Sequence, residues 1–311
     1  MTGILSEAAL TALLVAVLAS ALPLLLAAVG ETVSEQAGVL GLGLEGVLLV
    51  GGYTSFAVVH VTGGLWLGFL CGAVAGALLS LVLVVLSVRL GVNQIVVGIG
   101  IALLGTGISS MLYEASFADT KPRLGAPEAW VLHPLSEIPV IGPALFAQPG
   151  MFTVSFVIAA LVSLWLYRTV PGLRLRAAGQ RPASLDAIGG SVGRSRSVAV
   201  LFAGAMGGLG GAYLALVSAG TFTPGMTHGL GFLAIVVAML GRGRVLRVVL
   251  ISLVYGVFVA GGTALQLADF ALPNDLVAIL PFIAVLIVLT FFGRRAALPP
   301  ALAVPYVRGA R

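Results

Sequence analysis

The chain has 311 residues, 59% of them hydrophobic and 9% charged, with mean hydropathy +1.15 and a formal net charge of +5. That is too little charge to coat a soluble domain of this length, so a water-soluble enzyme or binding module is excluded and an all-α polytopic membrane protein is expected. A lone cysteine, Cys71, rules out an internal disulfide, and arginines confined to turns between apolar runs give no soluble basic face for nucleic acid.

Apolar segments near 8–29, 39–60, 63–88, 93–113, 151–167, 198–218, 229–241, 246–264 and 275–292 recur at about the 20-residue scale of a bilayer core. No separate soluble domain is visible, so residues 1–311 read as one membrane domain. The expected architecture is a bundle of about 9–10 transmembrane helices with one or two broken or re-entrant segments. The opening MTGILSEAALTALLV lacks the basic flank of a secretory signal, so its apolar run is expected to be retained.

Two hydrophilic interruptions punctuate the series. Residues 114–149 carry Glu114, Asp119, Glu128 and Glu137 against Lys121 and Arg123, with prolines at 122, 127, 134, 139, 143 and 149. This reads as a rigid, slightly acidic extracytoplasmic loop. Residues 168–197 carry six arginines against Asp186 alone, and read as cytoplasmic. Arg89, the group Arg242, Arg244 and Arg247, and the pair Arg294 and Arg295 then fall on that same side, which puts the C-terminus in the cytoplasm. The N-terminus is open. Nine full crossings put Glu7 outside, whereas an additional half-crossing around 30–46 puts it inside.

Segment 229–241 spans about 20 Å as a helix, too short for a ~30 Å core. It follows Gly220-Thr-Phe-Thr-Pro-Gly-Met-Thr-His-Gly-Leu-Gly231, and a broken or re-entrant helix is expected there. The glycine-rich 38–46 stretch invites the same reading, since interrupted segments at matching places in a transporter point to its pathway. A weak echo joins them: Gly-Leu-Glu-Gly-Val-Leu-Leu-Val-Gly from Gly43, and Gly-Leu-Gly-Phe-Leu-Ala-Ile-Val-Val from Gly229. Gly64, Gly68, Gly72 and Gly76 form a four-residue stripe. Gly204 with Gly208, and Gly207 with Gly211, make two more small-xxx-small pairs suited to close helix contact in lipid.

Enzyme chemistry is nearly absent from the pattern. There is no G-x-x-x-x-G-K-[ST], and the single lysine, Lys121, lies in the proline-rich loop. His60, His133 and His228 are far apart, with no acidic or cysteine residue at metal-ligand spacing, so neither a catalytic nor a metal site is expected. Glu45 is the one clear ionisable candidate at membrane depth, too few for a proton relay. Transport powered from elsewhere fits better than a secondary carrier driven by an ion gradient, or a purely structural membrane protein.

The power connection is expected in the cytoplasmic loop. Between Pro182 and Gly189 lies a stretch long enough for two helical turns, with proline at its start and glycines at its end, suited to docking in a partner's groove. Here Arg176-Ala-Ala-Gly-Gln-Arg-Pro-Ala-Ser-Leu-Asp-Ala-Ile-Gly189 resembles the coupling-loop signature of ABC importer permeases of the branched-chain amino acid/ribose group, the nucleoside and simple-sugar subgroup matching best. The stretches Ser34–Gly52, Gly91–Gly105 and Gly220–Gly241 are similar to the same family in the right order, over roughly residues 20 to 295. Where the family usually carries Asn this chain has Gly41, and where it usually has Asn-Pro this chain has Arg181-Pro182. The G-x-D-x-S pattern of ribose-type permeases is absent.

The resemblance implies a subunit without a cofactor of its own. ATP and Mg would be bound by a partner ABC ATPase, beside a second permease subunit (a paralogue or another copy) and an extracytoplasmic solute-binding lipoprotein, all at a bacterial inner membrane. The implied ATPase-coupling residues are Arg176, Ala178, Gly179, Arg181, Pro182, Ala183, Ala187 and Gly189. The expected pathway or structural residues within the membrane are Glu45, Asn93, Gln94, Phe222, Thr227 and His228, with helix capping an equal alternative for Asn93 and Gln94. Tyr53 and Phe56 could stack on a base or sugar, although packing is the commoner role for such rings. The solute stays open among nucleoside, purine-like base, simple sugar, and the branched-chain amino acid or ribose type.

Overall fold

The computed structural model describes residues 7–131, 133–267 and 298–306, with isolated positions between 279 and 290. The expected last segment, 275–292, and the charges at Asp269, Asp275, Arg294 and Arg295 lie almost wholly outside the described residues.

The architecture is an all-α membrane bundle. Helix α1 (Glu7–Gln36) is followed by a tight corner and α2 (Leu44–Thr62), then α3 (Leu65–Arg89), whose last turns from Val84 are π-helical, and α4 (Gln94–Phe117). The next loop holds a two-stranded antiparallel sheet, β1 (Ala129–Val131) with β2 (Ala147–Pro149), around the short α5 (Ile141–Phe146). Then come α6 (Gly150–Arg168), α7 (Val170–Gln180), α8 (Pro182–Ala187), α9 (Val192–Ser218, π-helical from Leu214), α10 (Leu230–Gly241) and α11 (Val245–Leu267). Among the described residues seven helices are long and apolar enough to cross a membrane, and α10 is a shorter apolar helix.

Glycines set the centre of the bundle. Placed on Gly72, a Cβ would sit 2.9 Å from the Gly51 carbonyl oxygen and 3.1 Å from Ala212 Cβ, so α2, α3 and α9 touch backbone to backbone there. Gly76 faces Gly204 and Gly208, while Gly211 faces the Leu48 carbonyl. In lipid, where burying apolar surface gains little between helices, such close van der Waals packing is the main source of cohesion. The expected stripe therefore packs at Gly68, Gly72 and Gly76. Gly64 does not join it, because it lies before the first turn of α3 and meets only Thr62 and Leu67.

These contacts also fix direction. Gly76 pairs with Gly204 and Gly68 with Leu216, so α3 and α9 are antiparallel, and Gly30 against Ala203 with Gly210 against the Pro23 carbonyl makes α1 antiparallel to α9 as well. Arg89, Arg168, Arg194, Arg196 and the Arg242–Arg247 turn consequently gather at one basic end, with the Gln36–Gly43 corner and residues 298–306. Glu7 begins α1 at the opposite end, where the 114–149 loop and Gly220 meet through the Leu124 amide and the Gly220 carbonyl. Of the expected boundaries, α1 runs seven residues further, α4 passes Glu114 to end at Phe117, and the 168–197 loop folds into two helices instead of one insert.

Candidate functional site

Glu45 lies in the first turn of α2, and the chain breaks at Gly220–Gly229 bring the start of α10 directly against it. Its Oε1 accepts the Thr227 hydroxyl at 2.6 Å and the Gly229 amide at 2.9 Å, while Oε2 accepts the Gly231 amide at 2.7 Å. The first amides of any helix lack partners within it, so one carboxylate supplies the missing acceptors for α10. A glycine is required at 231, because a Cβ there would collide with the backbone of Glu45, and Gly229 (φ 83°) makes the turn into the helix. The echo noticed in the sequence has a structural counterpart. Both helices start at a Gly-Leu step, and its two matched residues, Glu45 and Gly231, are the ones that bond.

From the Glu45 junction α10 runs 12 residues to the basic end, about 18 Å at helical rise, so the junction stands well inside the bundle. Residues 220–229 reach it from the opposite end, where Thr221 donates to the Pro122 carbonyl at 3.1 Å. The crossing is thus half irregular chain and half helix, the broken form expected from its length.

The other intramembrane candidates separate by role. Asn93 caps α4, its Oδ1 accepting the Ile95 amide at 2.9 Å and the Val96 amide at 3.4 Å. Gln94 is buried and accepts the Leu40 amide at 3.0 Å, bracing the corner before α2. His228 is exposed in a left-handed conformation (φ 45°). Phe222 is fully buried against Tyr53 (5.6 Å between centroids) and Tyr113 (5.5 Å), and Phe56 packs on Phe117 (5.4 Å). These rings pack against one another in this conformation.

Two buried carboxylates escaped the sequence reading. Glu31 and Glu35, one helical turn apart on α1, are 0% and 2% exposed, so Glu45 is not the only carboxylate inside the bundle. Glu31 Oε1 accepts the Gly41 amide at 2.7 Å, and a Cβ at Gly41 would collide with Glu31 Oε2, so glycine at 41 makes room for this carboxylate. Among the described residues Glu31 Oε2 and Glu35 Oε1 meet no hydrogen-bond partner. Their spacing of four was the available signal, but the expected segment stops near 29, short of both.

At the basic end the coupling-loop candidates divide. Pro182 opens α8 and Ala183, Ala187, Gly189 and Arg181 are exposed around it. The helix ends with the Gly190 amide on the Leu185 carbonyl and the Gly189 amide on the Asp186 carbonyl, Gly189 adopting φ 80°. Ala178 and Gly179, by contrast, are buried in the last turn of α7, where Gly179 abuts the backbone of Gln36–Gly38. Arg176 lies over the Tyr167 ring, 4.8 Å from its centroid, and Tyr167 donates to the Gly243 carbonyl at 2.5 Å. Part of the loop is therefore presented outward and part is keyed into the bundle. No group of three or more metal-ligating side chains occurs among the described residues.

Residues 13–289 match the family model described as branched-chain amino acid transport system / permease component. The chain is 32% identical to the nucleoside ABC transporter permease protein NupC of Lactococcus lactis subsp. cremoris, over 92% of this chain and 93% of that one. It is 31% identical to the guanosine ABC transporter permease protein NupQ of Bacillus subtilis, over 95% and 96% respectively. The glucose ABC transporter permease protein TsgB13 of Haloferax volcanii is 29% identical, over 89% of this chain and 77% of its own. No solved structure matches the chain. A glycine-packed helical bundle with a broken crossing, matched from residue 13 to residue 289, places this chain in the family of branched-chain amino acid transport system permease components, to which it belongs as an ABC transporter permease.

Proposed function

We propose that the chain is the membrane-crossing subunit of an ATP-driven importer for a nucleoside or a related simple sugar, in a bacterial inner membrane with the basic end and the C-terminus in the cytoplasm. The observation that carries this is the near full-length similarity to two permeases named for nucleoside and guanosine. α8, with Ala183 and Ala187 outward, would seat in a groove of a separate ATPase chain that binds ATP and Mg, and arginines gathered at that end support the orientation. A second permease subunit would complete the pathway, and an extracytoplasmic lipoprotein would deliver solute to the opposite end.

The packed aromatic cluster of Phe222, Tyr53 and Tyr113, on the side of the 114–149 loop, is the part of the bundle proposed to open for passage. Movement delivered through α8 is the source proposed for that opening. The test is uptake into vesicles carrying the assembled complex, with labelled guanosine, uridine and glucose supplied in turn. ATP-dependent accumulation of a nucleoside or sugar is expected, insensitive to collapse of proton and sodium gradients. Uptake that follows an ion gradient and ignores ATP would overturn the proposal in favour of a secondary carrier.

A further inference from the structure

Arg196 sits in the first turns of α9 and is 3% exposed, yet among the described residues no carboxylate pairs with it. Its guanidinium instead joins three backbones. Nε donates to the Ala37 carbonyl at 3.2 Å, Nη1 to the Val304 carbonyl at 2.7 Å and Nη2 to the Ala301 carbonyl at 3.2 Å. The Ala37 oxygen belongs to the C-terminal end of α1, where unpartnered carbonyls collect partial negative charge and favour a cation.

The segment held this way is itself bonded to two other elements. The Ala301 amide donates to the Gly179 carbonyl at 3.0 Å, in the last turn of α7, and the Ala303 amide to the Gly38 carbonyl at 3.2 Å, in the corner between α1 and α2. Gly38 (φ 89°) and Gly179 touch directly, and a Cβ on Gly38 would lie 3.0 Å from both the Ala301 oxygen and Arg196 Nη2. The corner then leads within seven residues to Glu45 and the start of α10.

We infer that Arg196 and residues 298–306 form the linkage that passes displacement of the coupling loop to the Gly38 corner and so to the Glu45 junction. This rests on the coupling role proposed above for the 168–197 loop. Arg196 is a positioning residue in it, acting through the backbones it ties. Lysine does not replace it, since one ammonium cannot address three divergent carbonyls as a planar fork does.

The test compares the full chain with R196K and with a chain ending at residue 297, each assembled with its ATPase in vesicles, labelled guanosine being the probe. Both variants are expected to co-purify with the ATPase and hydrolyse ATP while moving at least about tenfold less guanosine per ATP. In the full chain, amide exchange at Ala301 and Ala303 is expected to change when a non-hydrolysable ATP analogue binds. A shortened chain with the full-length ratio, or one that no longer retains the ATPase, overturns the linkage, the second outcome making the segment a docking contact. A183W, on exposed α8, separates the two proposals. If it uncouples while the shortened chain transports normally, only the linkage fails. If A183W also transports normally, the coupling role of the loop fails with it.

Discussion

Glu45 and Gly231 are 186 positions apart, yet the Glu45 carboxylate accepts the Gly231 amide at 2.7 Å and their backbones touch. Two interrupted stretches that look unrelated along the chain thus form one junction inside the bundle. The bond pattern makes Glu45 a brace for α10 in this conformation.

Glu45→Gln follows from that geometry. The amide turns one acceptor into a donor facing N–H or O–H donors, leaving at least one buried donor unpaired at a cost of about 1–3 kcal/mol. A lower melting temperature and reduced recovery of the intact complex are expected in detergent. An unchanged melting temperature with altered solute preference would make Glu45 a solute contact instead.

Glycine-to-alanine changes should divide sharply by position. G208A drives a methyl group into the Gly72 carbonyl and G211A into that of Leu48, so each should cost at least about 1–3 kcal/mol and lower the yield of folded protein. Gly100 and Gly107, also helical, have open space on the same test, and alanine there should be neutral to slightly stabilising. Thermal unfolding of the four variants decides it. Equal behaviour would mean that α3 and α9 do not pack at their glycines.

Within the coupling loop, exposure predicts which variants are informative. A183W should leave the melting temperature unchanged and abolish ATP-driven uptake. G179V should lower the melting temperature, because its side chain would displace the Gln36–Gly38 backbone. A stable G179V protein would contradict that contact.

At the start of α4 two adjacent amides differ in consequence. Gln94→Leu leaves the Leu40 amide without its acceptor, at about 1–3 kcal/mol, while Asn93→Ala removes an exposed cap worth about 1 kcal/mol. Unfolding midpoints should rank Gln94→Leu below Asn93→Ala. The reverse order would place the strain outside the corner.

Much of this molecule was legible from composition and charge. Hydropathy located the long helices and arginine counting gathered the basic end, because bilayer thickness and positive-inside bias act on single segments. The short length of 229–241 and the glycines and proline leading into it disclosed the broken crossing. What stayed hidden depends on which helices meet. Arg196 read as one of six loop arginines, although it lies on the α9 face of Ala199, Val200 and Ala203, all buried. Glu31 and Glu35 fall beyond the expected 8–29 segment because apolar character fades before α1 ends. The 11-residue helix α7 went unnoticed because its arginines masked the buried Gly172, Leu175, Ala178 and Gly179 face.

The meeting of α2 and α10 has an electrostatic consequence for whatever passes nearby. The start of α10 contributes roughly half a positive charge, and the Gly229 and Gly231 amides there turn toward a single carboxylate from the first turn of α2. That helix end is thus already occupied by a carboxylate of the chain itself and is not left open to a passing solute. A phosphorylated one would find no excess of positive potential there to draw it in.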